Sequence, residues 1–338
     1  MIANPVPTVI SPARGTALIV AASCCFGFAG PIARSAMDAG LSPQQVASAR
    51  IALAAVILLV GTGLVRPGAL RLRRRDLPVL LTYGVVGVAA CQLLYFVAVS
   101  RLPVGVAMLL EYLSPVLVTL WVRFVRHTAL PAAAWLGVTL ASVGLVLVAQ
   151  VWQGAALDLL GVLAGLATAA CCAAYFLLGE RGVATTDPVG VTTWGLVVGA
   201  VTMLTVCRPW TIPVRLLAAP ARFGVVLLPV WLLLVVVAVV ATVVAYLTSM
   251  AALRHLPSSV VSALSLLEPV VATVLAWAML GQRLSPVQVV GGVILLGGAL
   301  IVRLAPRPTI ARSPWPEGHR ETAVAVPEAR VDPGRSGA

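Results

Sequence analysis

Apolar residues along this chain run in long blocks and do not alternate with polar ones. Such blocks lie at about 15–36, 45–65, 77–99, 103–125, 132–151, 157–179, 188–207, 226–253, 257–280 and 285–304. Each is close to the roughly 20 residues that an α-helix needs to cross a hydrocarbon core about 30 Å thick. The pattern predicts an all-α integral membrane protein with ten transmembrane helices. Connections are short, so no soluble domain is inserted. The longest are 66–76, with Arg66, Arg71, Arg73, Arg74 and Arg75, and about 208–225, with Arg208, Arg215 and Arg222. Residues 1–14 read as a cytoplasmic N-terminus without a cleaved leader, the first helix itself being the insertion signal. Residues 305–338 lose the apolar pattern and turn rich in Pro, Arg, Glu and Gly, which predicts a disordered cytoplasmic tail.

The blocks are also written twice. A shift of 154 positions carries Leu102-Pro103 onto Leu256-Pro257. It also carries Val106 onto Val260, Leu110 onto Leu264, Leu113 onto Leu267, Pro115 onto Pro269, Thr119 onto Thr273, Gly137 onto Gly291 and Gly144 onto Gly298. The chain thus divides into a first five-helix repeat over 15–151 and a second over 152–304. Five is odd, so the second copy enters the bilayer from the opposite side. The copies are then inverted repeats about an axis in the membrane plane, with a central cavity between them.

Composition sharpens this reading. Hydrophobic residues make up 60% of the chain and charged ones 10%, against about 25% charged in a soluble domain. The net charge of +12 comes from 23 basic residues, all arginine. They sit mostly between apolar blocks, so they set topology, and no basic soluble domain exists to bind nucleic acid. Arg14, the 66–76 cluster, Arg123, Arg126, Arg181, Arg254, Arg303, Arg307 and Arg312 outnumber Arg34, Arg50, Arg101, Arg208, Arg215, Arg222 and Arg283 on the opposite side. That bias places both termini in the cytoplasm of a multi-pass plasma-membrane protein. The six cysteines lie in or beside apolar blocks without a CxxC, and read as small residues packing helix on helix. Trp135, Trp152 and Trp210 fall near span ends, as interfacial anchors do. Gly161 and Gly165 form a GxxxG that suits close helix packing.

Of 11 acids, Glu111 and Glu268 are the two inside apolar blocks. A charge at the bilayer centre costs at least ~2.5 kcal/mol. With about 1.5 Å rise per residue, Glu111 lies roughly 12 Å from the Pro103 end of its helix and Glu268 roughly 16 Å from the Pro257 end. Those ends face opposite sides, so both carboxylates reach the midplane. They read as substrate or proton sites, or as buried acids held by neighbouring helices. Pro115 and Pro269 are expected to kink their helices and free the carbonyls of Glu111 and Ser265. Those carbonyls either receive an ammonium group or ion, or are satisfied by a neighbouring helix. Arg50 is placed to bind a substrate carboxylate, or to pair with an acid or lipid headgroup. Gln92, Tyr95, Tyr112, Tyr246 and Ser262 are candidate cavity lining, with Ser265 beside them. No metal site and no cofactor are expected. Without lysine there is no Walker A motif and no Schiff base. His127, His255 and His319 make no HExxH, and no GxSxG occurs, so the chain reads as a non-enzyme.

The Leu-Pro corners, the segment YLTSMAALRHLP (Tyr246–Pro257) and SLLEP (Ser265–Pro269) resemble the EamA family of the drug/metabolite transporter superfamily over residues 15–304. With LLEYLSPVLV (Leu109–Val118) they are most like its threonine/homoserine exporter group. The resemblance implies ten helices around a cavity, with the fifth and tenth peripheral. It matches Glu111 and Glu268 residue by residue, and Arg50 with an arginine that often opens the second helix. In the family the fourth and ninth helices commonly end in Gly-Glu. Here they end Arg126-His127-Thr128 and Gly281-Gln282-Arg283, so roles attached to those acids do not carry over.

The resulting expectation is a secondary transporter exporting a small amino acid or related metabolite, with protons as the coupling ion. Its partners are a small-molecule substrate and membrane lipid, as a monomer or homodimer. Efflux of drug-like cations is the alternative, although 6% aromatic residues offer it little lining. A membrane interaction protein without transport is the remaining class.

Overall fold

In the computed structural model, the described residues are 11–102, 107, 110–127, 129–149, 158–207, 210, 212–224, 226–280 and 285–305. The Pro103 corner, the Gly281-Gln282-Arg283 end of the ninth block and the 306–338 tail lie outside them.

The chain is predominantly helical. Its helices are α1 (Pro12–Gly27), α2 (Ala29–Asp38), α3 (Pro43–Val65), α4 (Leu77–Thr82), α5 (Cys91–Arg101), α6 (Ser114–Phe124), α7 (Ala132–Ala149) and α8 (Leu159–Thr185). Then come α9 (Pro188–Cys207), α10 (Val214–Leu217), α11 (Val230–Ala238), α12 (Ala245–Ala252), α13 (Ser258–Leu264), α14 (Leu267–Leu280) and α15 (Pro286–Leu304). Among the described residues six helical stretches are long and apolar enough to cross a membrane: Pro12–Asp38, Pro43–Val65, Leu77–Ala98, Leu159–Thr185, Pro188–Cys207 and Val230–Ala252. Four shorter apolar helices join them, at Ser114–Phe124, Ala132–Leu147, Ser258–Ala272 and Val289–Val302.

Local sequence explains the starts. Ser42 caps α3 in a reciprocal box with Gln45, and Pro43 opens the helix where its missing N–H is harmless. Asp158 accepts the Gly161 N–H at 2.8 Å and starts α8. Several hydroxyls inside the spans are satisfied within their own helices, as Thr168 on the Ala164 carbonyl at 2.9 Å and Thr192 on Pro188 at 2.8 Å. That is how polar side chains are carried where no water is at hand.

Two stretches widen into π-helix, Tyr83–Ala90 before α5 and Val239–Val244 before α12. The 154-residue shift superposes Val85–Ala90 on Val239–Val244. Helical continuity also breaks twice at equivalent places. Tyr112 and Leu113 form a turn before α6, and Ser265 and Leu266 form one before α14. Pro115 and Pro269 therefore sit in the first turn of a restarted helix, where proline is tolerated, and not in the middle of a kinked one. The Ser265 carbonyl expected to stand free accepts the Glu268 N–H at 2.9 Å.

The most extensive helix contact is α7 against α15, and the contacts of Gly144 and Gly298 across it are exchanged by the same shift. A methyl placed on Gly144 would lie 2.6 Å from the Gly291 carbonyl oxygen, and one on Gly298 2.6 Å from that of Gly137. The backbones touch because both crossing points lack a Cβ.

One element departs from the all-α expectation. Pro220–Phe223 and Val226–Pro229 pair as an antiparallel hairpin, so the eighth span begins at Val230 and not at 226. Gly224 supplies the positive φ of its turn. Ala221, Phe223 and Leu228 turn inward onto Ile32, Ala36 and Leu233, closing that end of the bundle.

Candidate functional site

Glu111 ends the helical stretch before the first break, and Glu268 opens α14 just after the second. The backbone interruptions bring both acids to the middle of the bundle. Glu111 lies within electrostatic reach of Glu268 and of Arg50 on α3, and Tyr95 of α5 lies within reach of all three. Tyr112, in the first break, lies within electrostatic reach of both Glu268 and Glu111. Arg50 donates from Nη2 to Gln92 Oε1 at 3.0 Å, which bridges α3 and α5. Its Nε is buried without a partner, as is the Ser114 hydroxyl just beyond the first break. Glu111, Glu268, Arg50, Gln92 and Tyr95 are neither fully buried nor fully exposed, although helices of both repeats enclose them.

The other expected lining residues behave differently. Ser262 is fully buried and its hydroxyl is spent on the Ser259 carbonyl at 3.2 Å. Ser265 donates to the Ser262 carbonyl at 2.7 Å. Tyr246 is 6% exposed and held edge-on by Phe26 and by Tyr175, at 5.3 and 5.6 Å between ring centres. Tyr175 also stacks on Tyr83 at 5.4 Å and donates to Ser249 Oγ at 3.2 Å. Sequence reading passed over Tyr175, whose only signal is an aromatic in the middle of a small-residue span.

Glu180 was passed over as a helix-end acid. It pairs with Arg126, which follows α6. It also accepts the Ser258 N–H at 2.9 Å and the Ser258 hydroxyl at 3.2 Å. One carboxylate thus ties the end of α6 to α8 and caps α13. Near it, Asp76 takes a hydrogen bond from the Thr185 hydroxyl at 3.0 Å. An open cavity of about 320 Å³ lies under the arginine-rich loop, lined by Arg71, Arg73, Asp76 and Asp187 among others. It is lined by none of the midplane charges and is a separate feature from their site.

Among the described residues one group has metal-type donors. Cys91 Sγ, Cys172 Sγ and a Glu111 carboxylate oxygen lie within 4.8 Å of one another.

The model of the EamA-like transporter family matches twice, over residues 13–150 and 159–304. The threonine/homoserine exporter RhtA of Escherichia coli K12 is 28% identical over 264 residues, covering 76% of this chain and 82% of that protein. The uncharacterized transporter YyaM of Bacillus subtilis 168 is 27% identical over 267 residues, covering 77% of this chain and 84% of its own. A solved crystal structure aligns with a TM-score of 0.69 at 21% identity, covering 86% of this chain and 96% of the other, a likeness of fold.

Proposed function

The chain belongs to the EamA-like transporter family, a multi-pass membrane transporter, and from that premise we propose that it exports a small amino acid or related metabolite by proton antiport. The observation that carries this is the opposition at the midplane of Arg50, with its unpartnered Nε, and the carboxylates Glu111 and Glu268. A zwitterion needs both signs at one spot: a guanidinium for its carboxylate, an acid for its ammonium. Relatives named as threonine/homoserine exporters support that substrate class. A carboxylate holds a proton or an ammonium group, not both, and that competition links the two fluxes. Drug-like cations fit less well, because Phe26, Tyr83, Tyr175 and Tyr246 are packed on one another and line little.

The architecture we assign is ten spans in two inverted five-helix repeats around this site, both termini cytoplasmic. The twin family matches, the coincident π-helical stretches and breaks, and the exchanged glycine contacts of α7 and α15 support it. The test is flux of labelled threonine, homoserine and other amino acids in liposomes across an imposed pH gradient. Gradient-driven flux of at least one amino acid, lost in Arg50→Gln, is expected. No flux of any amino acid in either direction would sink the reading.

A further inference from the structure

Cys91 and Cys172 take no part in the proposed transport cycle. Cys91 opens α5 in the first repeat and is 5% exposed, while Cys172 lies on α8 in the second and is partly accessible. Cys91 Sγ reaches the Thr168 carbonyl at 3.9 Å, one helical turn before Cys172, so it lies against that face of α8. Both sulfurs lie within 4.8 Å of each other and of a Glu111 oxygen. A disulfide requires about 2.05 Å between sulfurs, so the bond forms only when both side chains turn toward each other.

We propose that Cys91 and Cys172 are a redox-active dithiol, oxidised by small disulfides that enter through the transport site, and that the resulting bond staples the two repeats and stops transport. Its functional half rests on the transporter reading above. Cys172, the more accessible sulfur, attacks the small disulfide RSSR, forms a mixed disulfide and releases one RSH. Cys91 then attacks the Cys172 sulfur, closes the cross-repeat bond and releases the second RSH. The dithiol loses two electrons and two protons, and RSSR gains them. Glu111 is near enough to relay the Cys91 proton. A divalent cation on the same three donors would leave a net negative charge beside Glu268 in an apolar interior, whereas the disulfide is neutral. Alternating access needs one repeat to rock against the other. A covalent bond between α5 and α8, next to Glu111, opposes that motion.

The experiment treats purified full-length protein with dithiodipyridine, then maps peptides under non-reducing conditions and measures liposome flux. Two of the six cysteine thiols should disappear, the Cys91 and Cys172 peptides should appear linked, and flux should be lost and restored by dithiothreitol. Cys172→Ser should keep flux under the reagent, while replacing Cys24, Cys25, Cys171 and Cys207 should leave the response unchanged. Absence of the linked peptide overturns the proposal, and so does a linked protein that still transports. Inhibition surviving in Cys172→Ser also overturns it. Peptide mapping is independent of transport, so a protein that links but never transports, even when reduced, counts against the transporter reading alone.

Discussion

The pair α7 and α15 obeys the internal repeat contact for contact, whereas the two helix breaks obey it in backbone only. Gly144 and Gly298 meet equivalent backbone atoms of the opposite helix at the same 2.6 Å. At the breaks, the turns at 112–113 and 265–266 and the prolines behind them correspond closely. Yet under the 154-residue shift Glu111 falls on Ser265 and not on Glu268. The acids are three positions apart in repeat coordinates, about 60° around a helix of 3.6 residues per turn. The scaffold is symmetric and the chemistry is not. A repeated fold supplies two helix breaks, and separate substitutions set a carboxylate at a different position beside each.

The largest effect should come from breaking that asymmetry. Glu111→Gln keeps the shape and removes the titration, so pH-driven flux should be abolished while protein level holds. Glu268→Gln should act mainly on affinity or protein level, because Glu268 stands in the first turn of α14 beside Pro269. Liposome flux of both variants across a pH gradient decides it. Normal gradient-driven transport by Glu111→Gln would rule out the coupling assignment, and equal loss in both would rule out unequal partners.

The next effect tests the symmetric half. Gly144→Val and Gly298→Val each push a side chain into backbone and should cost about 1–3 kcal/mol or more. Their costs should match, since the contacts are exchanged. Thermal unfolding in nanodiscs measures both. A stable Gly298→Val beside an unfolded Gly144→Val would break the equivalence.

The repeat was legible because glycine, proline and Leu-Pro corners are sparse tokens whose coincidence at one offset is visible in a line of text. Helix limits among the described residues mostly fall within a few residues of the apolar blocks, because a bilayer demands continuous apolarity, but α8 runs on to Thr185, past the block at 157–179. The hairpin at 220–229 was not legible: Val226–Pro229 is as apolar as the helix it precedes, and Pro220, Gly224 and Pro229 were needed to see it. The midplane acids were legible because a charge in an apolar run is costly. Their partners were less so. Ser262 has the right depth, yet its hydroxyl finds a carbonyl within its own helix, which periodicity does not reveal. Tyr175, Glu180 and the Cys91–Cys172 pair depend on which faces of α5, α6, α8 and α13 meet, and that is a tertiary fact.

A smaller effect should follow at Glu180. The ion pair with Arg126 is part-buried, at 30% and 21% side-chain exposure, and Glu180 also caps α13. Glu180→Ala leaves the Ser258 N–H without its acceptor, which should cost about 1–2 kcal/mol. Glu180→Gln keeps a capping oxygen and should cost less. A melting temperature unchanged in Glu180→Ala would show that the cap is dispensable.

The smallest effect concerns His255, in the turn between α12 and α13. Its Nδ1 accepts the Ser11 N–H at 3.4 Å, which ties the start of α1 to the second repeat. Partial burial, with Arg14 and Arg254 nearby, holds its pKa below the ordinary histidine range. The folded state therefore favours the neutral ring. Its contribution is present above the unfolded value near ~6.5 and is lost as pH falls, because the unfolded chain takes up the proton first. A proton on Nδ1 also removes the acceptor and adds a third positive charge to the turn. Amide hydrogen exchange over residues 11–15, corrected for intrinsic rates, should show protection falling between about pH 7 and pH 5. His255→Gln, an acceptor that never charges, should flatten that dependence. The same fall in protection in the variant would place its origin elsewhere.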